Sequence, residues 1–135
     1  MGFLWREFAQ LATMLEALPP GSATGVHREA LLRSGISRLY YAAFHHALQR
    51  AKRNSWYSPT GKSKDHVELA RSLKSQTNSG AKLAGKQLSD MRTFRNVCDY
   101  DLPGVFPTGT AGAQIDFESA FKQMQRAYGL VTSNV

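Results

Sequence analysis

Residues 33–51 read RSGISRLYYAAFHHALQRA and predict the central helix of the fold. At about 100° per residue, the apolar side chains in and around this stretch cover an arc of roughly 200°, which is wider than the stripe of a surface helix. The arc consists of Leu32, Ile36, Leu39, Tyr40, Ala43, Phe44, Ala47, Leu48 and Ala51. The remaining strip holds Ser34, Arg38, His45, Gln49 and Lys52, which share one side of the helix. The pattern therefore predicts a mostly buried helix with one basic edge.

Apolar periodicity predicts four further helices around the central one. They cover about residues 3–18, 63–74, 81–101 and 114–132, and the central helix ends near residue 52. Gly35 is expected to weaken the central helix, because glycine in a helix costs ~1 kcal/mol relative to alanine. No segment alternates in the manner of a strand. We therefore predict the all-α class, with residues 1–135 forming one antiparallel bundle of about five helices.

The composition is that of a globular protein. A chain of 135 residues with 42% hydrophobic and 20% charged residues is not largely disordered. The lone Cys98 cannot form an internal disulfide, so nothing indicates an oxidising compartment. The chain has neither the apolar run of a signal peptide near its start nor the ~20 apolar residues of a membrane span. We expect a cytoplasmic protein that does not enter a membrane.

Positive charge is concentrated in the middle of the chain. Residues 28–95 hold fourteen Lys and Arg against four acids, a net of +10. The remaining residues hold three bases against six acids, a net of −3, which gives +7 for the whole chain. A positive field of this kind favours polyanions, above all RNA or DNA, through phosphate contacts and counterion release. The alternative is a basic protein whose charge serves solubility only.

Arg95 projects into the apolar stripe of the predicted fourth helix. A guanidinium group on a packed face needs a partner, because an unpaired buried charge is costly. Asp99 lies one turn further on and is spaced for a charge pair that would fix helix packing. In the other interpretation, Arg92, Arg95 and Asn96 present hydrogen-bond donors to a phosphate, which suits the planar fork of arginine. The spacing alone leaves both interpretations open.

The four histidines of the chain do not predict a metal site, because none has Cys or His partners at zinc-ligand spacing. His45 shares a face with Arg38, so it is either a proton carrier beside a phosphate, with a pKa near ~6.5, or a solvated bystander. Nucleotide-binding and dinucleotide-binding motifs are absent from the sequence, and no cofactor is predicted. In the loop after the central helix, Trp56 and Tyr57 either stack on bases or close the loop over the core.

Two runs of the sequence, SRLYYAAFH at residues 37–45 and RNVCDY at residues 95–100, form a pair of motifs with His66 and Val67 between them. Together they resemble two helices of the HEPN domain family, in its small single-domain branch. The resemblance covers about residues 28–102. It implies an all-α bundle that pairs into a two-fold homodimer, with the second motif lining a cleft at the dimer interface. Many members are metal-independent endoribonucleases of toxin–antitoxin or defence modules, and some have a nucleotidyltransferase-like antitoxin as partner.

One position departs from the pattern of the active family members, which carry a histidine shortly after the motif arginine. Here Tyr100, Asp101 and Leu102 occupy the corresponding positions. Tyrosine titrates near ~10 and is a poor proton carrier at neutral pH. Three alternatives follow: Tyr100 or Asp99 moves the proton, His45 from the central helix substitutes, or the domain binds without cutting.

The resemblance and the charge pattern together predict an RNA-directed protein that is an endoribonuclease. In this interpretation Arg95 and Arg92 stabilise the charge that develops on phosphate, and Asn96 positions it. Arg38, Arg92 and Lys52 are the predicted nucleic-acid-binding residues. The alternative is a non-catalytic domain that holds a nucleotide, an RNA or a nucleotidyltransferase-like protein in the same basic cleft.

Overall fold

The computed structural model describes residues 5–17, 26–100 and 117–135, and these contain five α-helices. They are α1 (Arg6–Glu16), α2 (Val26–Arg53), α3 (Asp65–Lys74), α4 (Ser79–Tyr100) and α5 (Phe117–Asn134). The described residues include no strand, which confirms the predicted all-α class for them. The segment between the fourth and fifth predicted helices lies outside the described residues. No helix in the described part of the chain is both long and apolar enough to cross a membrane.

The 28-residue helix α2 lies at the centre of the bundle. Helices α1, α4 and α5 pack along it, while α3 touches it lightly and packs mainly against α4. Eight of the nine side chains in the predicted apolar arc are buried, and the ninth, Leu48, is half-buried. The arc has to be wide because three helices cover α2 from different sides. The prediction of a central helix is therefore confirmed.

Two glycines allow neighbouring helices to approach closely. Gly35 of α2 faces the ring of Phe121 of α5, and a Cβ at this position would overlap that ring. Gly85 of α4 faces α3, where a Cβ would lie 2.8 Å from the carbonyl oxygen of Ala70. Glycine is the residue that permits such an approach, because it has no side chain. Helix α2 continues through Gly35 without a break, so this glycine serves packing against α5.

Gly85→Ala is expected to destabilise the fold by about 1–3 kcal/mol, because the added methyl group forces α3 and α4 apart. The matched control is Gly129→Ala in α5, where a Cβ would meet nothing within 4 Å. That substitution should stabilise the protein by ~0.5–1 kcal/mol through helix propensity. Urea unfolding of both variants measures the two effects. Equal changes in the free energy of unfolding would contradict the close crossing of α3 and α4.

Asp65, the first residue of α3, holds the loop between α2 and α3 in place. Its carboxylate accepts hydrogen bonds from the hydroxyl of Tyr57 at 2.6 Å and from the hydroxyl of Thr60 at 2.6 Å. The backbone N–H groups of Thr60 and Gly61 donate to it at 3.0–3.1 Å. Trp56 and Tyr57 pack against the core. Of the two interpretations of these aromatic residues, closure of the loop over the core is the one confirmed.

These contacts make the stability of the protein depend on pH at low pH. Burial acts to raise the pKa of Asp65, but hydrogen bonds from Thr60, Tyr57 and Gly61 outweigh it and lower the pKa to about 2. Because an unfolded Asp titrates near ~3.9, the ionised carboxylate contributes stability above about pH 4 that is lost as the pH falls toward 2. Asp65→Asn should therefore be less stable than the wild type at neutral pH, and this difference should shrink in acid. Urea midpoints at about pH 7 and about pH 2.5 measure it.

Asp90→Asn is the control for this pH dependence. Burial raises the pKa of Asp90, with Lys86 and Lys74 opposing the shift, so its ionised form is disfavoured in the folded state. Removing that charge should leave the protein at least as stable as the wild type at neutral pH. A stability deficit of Asp65→Asn that stayed constant from neutral pH to acid would contradict the assigned role of Asp65.

Candidate functional site

Arg95 lies inside the apolar stripe of α4, where only 6% of its surface is exposed. Three aromatic rings surround its guanidinium carbon, with centroids at 5.3 Å for Tyr40, 5.5 Å for Tyr41 and 5.8 Å for Tyr100. Aromatic ring faces attract a cation within about 6 Å, because they carry negative electrostatic potential. The packing of α2 against α4 therefore builds an aromatic enclosure around one fixed positive charge.

Asp99 balances part of this charge, so the pairing predicted from the sequence spacing is confirmed. Nη1 of Arg95 lies 3.7 Å from Oδ2 of Asp99 and 3.5 Å from the hydroxyl oxygen of Tyr100. The hydroxyl of Ser37 on α2 donates to the same carboxylate oxygen at 3.2 Å. Both contacts of Arg95 are long for hydrogen bonds, which are strongest near ~2.9 Å. The guanidinium group therefore keeps donor capacity for another acceptor.

Two arginine nitrogens at this site are buried without an acceptor. The Nε atoms of Arg92 and Arg95 have no hydrogen-bond partner among the described residues. The two residues are three positions apart on α4, so their side chains leave the helix on the same side. A buried donor without a partner costs ~1–3 kcal/mol. Both Nε atoms are closed to solvent, so an anion held by this pair would bind through the terminal nitrogens of the guanidinium groups.

Tyr40 and His66 connect this arginine pair to α3. The hydroxyl of Tyr40 lies 2.7 Å from Nδ1 of His66, and the imidazole stacks on the ring of Phe44 at 4.1 Å. Burial lowers the pKa of His66, and the charges of Arg95 and Arg92 lower it further. Burial raises the pKa of Tyr40, against the opposing charges of the same two arginines. His66 is therefore a neutral imidazole at neutral pH.

The sequence did not single out Tyr40, Tyr41 and His66 as site residues. The apolar arc of the central helix predicted that Tyr40 is buried, but it gave no sign of a partner for the hydroxyl group. His66 belongs to a helix with a weak apolar period, and its sequence shows no other feature of a catalytic site. The available signals were the motif at residues 37–45, which contains both tyrosines, the His66–Val67 pair quoted with it, and the predicted burial of Tyr40, because a buried hydroxyl group usually finds a hydrogen-bond partner.

His45 and Arg38 lie against α1 and the residue before it. The imidazole of His45 stacks on Trp5 at 3.6 Å, and the guanidinium of Arg38 lies 5.2 Å from the ring centroid of Phe8. Nε of Arg38 also donates to the hydroxyl of Ser34 at 3.3 Å. Burial lowers the pKa of His45, and His66 lowers it further. The described contacts do not bring His45 or Arg38 to Arg95, and α1 covers part of the predicted basic edge.

Asn96 and Lys52 are not joined to the arginine pair by any described contact. Asn96 follows Arg95 on α4 and is half-buried, whereas Lys52 is exposed in the last turn of α2. Among the site residues predicted from the sequence, the structure thus groups Arg92, Arg95, Asp99 and Tyr100. No group of three metal-ligating side chains comes together within the described ranges.

The comparisons with known proteins assign no family. No family model matches the chain, and no similar curated protein or solved structure was found.

Proposed function

We propose that this protein is an RNA-directed member of the HEPN family and cleaves RNA without a metal ion. The observation that carries the proposal is the pair formed by the buried Arg95 and the half-buried Arg92, whose Nε atoms lack acceptors among the described residues. Their planar forks suit a phosphate, which accepts several hydrogen bonds at once. Both residues belong to the motif helix on which the family resemblance depends.

The charge of the surrounding surface supports a polyanionic ligand. Residues 28–95, which form α2, α3 and most of α4, carry the net charge of +10. Exposed basic residues of α3 and α4 include Arg71, Lys74, Lys82 and Lys86. Such a surface attracts RNA through many phosphate contacts, and its affinity falls steeply as salt is added. Arg95 and Arg92 would then select one phosphate from those that the surface attracts.

The proposed reaction is the attack of a ribose 2′-hydroxyl group on the adjacent phosphorus atom. Arg95 and Arg92 stabilise the negative charge that develops on the phosphate oxygens. The arginines supply the stabilisation that a metal ion gives in other nucleases, so EDTA should leave the activity intact. The products are a 2′,3′-cyclic phosphate and a 5′-hydroxyl group.

A two-fold homodimer is part of the proposal. Tyr100 is 64% exposed although its ring lies beside the buried Arg95, so the edge of the site is an open aromatic surface. Pairing of two copies across this edge would bring both arginine pairs into one cleft. The nucleotidyltransferase-like antitoxin that the family resemblance implies would act by covering the same cleft.

The enclosure of Arg95 favours a second candidate function, a domain that binds RNA or a nucleotide without cutting it. With 6% of its surface exposed and Asp99 beside it, Arg95 has limited access to a reacting phosphate. The carboxylate also competes with an anionic ligand for the guanidinium group. In this case the protein would hold RNA, or a nucleotidyltransferase-like partner, through the same basic surface.

Incubation of purified protein with a labelled mixed-sequence RNA and with DNA of the same sequence, both in EDTA, tests the proposal. We expect cleavage of RNA alone, because DNA lacks the attacking 2′-hydroxyl group. Cleavage that requires an added divalent metal, or equal cleavage of DNA, would contradict the proposed reaction. RNA that is retained in a binding assay but remains intact would favour the second candidate function.

A further inference from the structure

We propose that His66 of α3 is the catalytic base that takes the proton from the attacking 2′-hydroxyl group. The inference depends on the proposed ribonuclease activity and names a residue for its proton-transfer step. Arg92 and Arg95 supply positive charge, but an arginine side chain does not lose its proton in a protein. The site therefore needs a separate proton carrier.

The position of His66 connects it to the arginine pair. Its Nδ1 lies 2.7 Å from the hydroxyl of Tyr40, and the ring of Tyr40 lies 5.3 Å from the guanidinium carbon of Arg95. One buried tyrosine thus touches both the imidazole and the guanidinium group. Stacking on Phe44 fixes the plane of the imidazole ring. The helices α2, α3 and α4 each contribute one member of this group.

The other ring nitrogen of His66 is available to a ligand. Nε2 makes no hydrogen bond to another described residue, and it is not among the nitrogen atoms that are buried without a partner. His66 itself is half-buried, so part of the imidazole reaches the surface. The hydroxyl of Tyr40 can accept a hydrogen bond from a protonated Nδ1, which leaves the lone pair on Nε2 able to accept a proton. This tautomer is the one that a general base requires.

In the proposed step, O2′ forms a bond to phosphorus as its proton passes to Nε2 of His66. The bond between phosphorus and O5′ breaks, and the leaving O5′ takes a proton from water. The imidazolium ion that results loses its extra proton to solvent, which returns His66 to its starting state. The hydroxyl of Tyr40 accepts from Nδ1–H throughout, and Arg95 and Arg92 stabilise the pentacovalent phosphate.

The surroundings of His66 suit a base that acts at neutral pH. The groups around it are Tyr40, Tyr41 and His45 from α2, Arg92 and Arg95 from α4, and Asp65 on its own helix. Burial lowers the pKa of His66, the two arginines lower it further, and Asp65 opposes them. The imidazole is therefore unprotonated above about pH 6.5, so it is ready to accept a proton. His45 instead stacks on Trp5.

Cleavage of labelled RNA in EDTA by His66→Gln over a range of pH tests the inference, with RNA affinity measured in parallel. We expect the rate to fall at least about 100-fold, while RNA affinity stays within about threefold of the wild type. In the wild type the rate should rise with pH along an acid limb whose midpoint lies below the ordinary histidine value of about 6.5, and this acid limb should disappear in the variant. The matched control is His46→Gln, the same change in a half-buried histidine of α2 that contacts Val135. It should keep both the rate and the acid limb.

A second variant, Tyr40→Phe, removes the hydroxyl group and keeps the ring in the core. It should fold, slow the cleavage about tenfold and move the acid limb to lower pH, because the protonated imidazole loses an acceptor. If Tyr40 and His66 only stabilised the fold, the pH profile of cleavage by Tyr40→Phe would match that of the wild type.

Cleavage by His66→Gln at the wild-type rate would overturn the inference and leave the ribonuclease proposal standing. An equal loss of rate and RNA affinity would make His66 a binding residue and would also overturn it. A wild-type protein that binds RNA but never cuts it would overturn both proposals.

Discussion

Arg95→Met is expected to reduce RNA cleavage by at least about 100-fold and to weaken RNA binding, because it removes the fork aimed at the phosphate. Methionine fills a similar volume without a charge. Removing one member of an ion pair is strongly destabilising when the member that remains is a buried charge without compensation. Asp99, the partner that remains, is 31% exposed in its side chain and can be solvated. The variant should therefore stay folded, which urea unfolding will show.

Two further variants complete the test of Arg95. Arg71→Met removes an exposed arginine that pairs with Glu68 on the surface of α3. It should lower affinity only slightly and preserve the cleavage rate, because Arg71 is one of many exposed cations that attract phosphates. Arg95→Lys keeps the charge but loses the planar fork, so it should restore little activity. Unaltered cleavage by Arg95→Met would remove Arg95 from the site. Loss of ~3–5 kcal/mol of stability would instead assign it a structural role in packing.

Phe121→Ala is expected to cost ~3–5 kcal/mol of stability, the largest structural effect of any single change considered. Phe121 is only 1% exposed, and its ring fills the close crossing between α2 and α5. Removing it leaves a cavity beside Gly35 that the helices cannot fully close. The matched control is Val67→Ala on α3, where the side chain is 39% exposed and the loss should stay below about 0.5 kcal/mol.

Combining Phe121→Ala with Gly35→Ala tests the close crossing of α2 and α5. In the wild-type background, Gly35→Ala should destabilise by about 1–3 kcal/mol, because its Cβ overlaps the ring of Phe121. In the Phe121→Ala background, the same change should be neutral or stabilising by up to ~1 kcal/mol, since alanine favours the helix. A change of sign between the two backgrounds measures the contact directly. Additive effects would contradict it.

Features of the protein that depend on local spacing were predictable from the sequence. The periodicity of α2 predicted that Ile36, Leu39 and Tyr40 are buried, because each position on a helix has a fixed direction. The pair of Arg95 and Asp99 followed from a separation of four residues on one helix.

Features that depend on contacts between distant segments were not predictable. From the sequence, Gly35 was expected only to weaken the helix. Nothing in the sequence places Phe121 of α5 against that glycine. Tyr40 and His66 are 26 residues apart, so their hydrogen bond exists only once α2 and α3 have packed. The stacking of Trp5 on His45 likewise depends on how α1 lies across α2. Local periodicity predicts which face of a helix is buried, but it does not identify the partner.

The chemical identity of the RNA ends left by the wild-type protein in EDTA tests the central proposal most directly. Mass spectrometry of the fragments distinguishes attack by the 2′-hydroxyl group from attack by water. We predict 2′,3′-cyclic phosphate and 5′-hydroxyl ends, because Arg95 and Arg92 stabilise a phosphate attacked by its own ribose. Fragments with 3′-hydroxyl and 5′-phosphate ends would contradict this mechanism, since they arise from hydrolysis by an activated water.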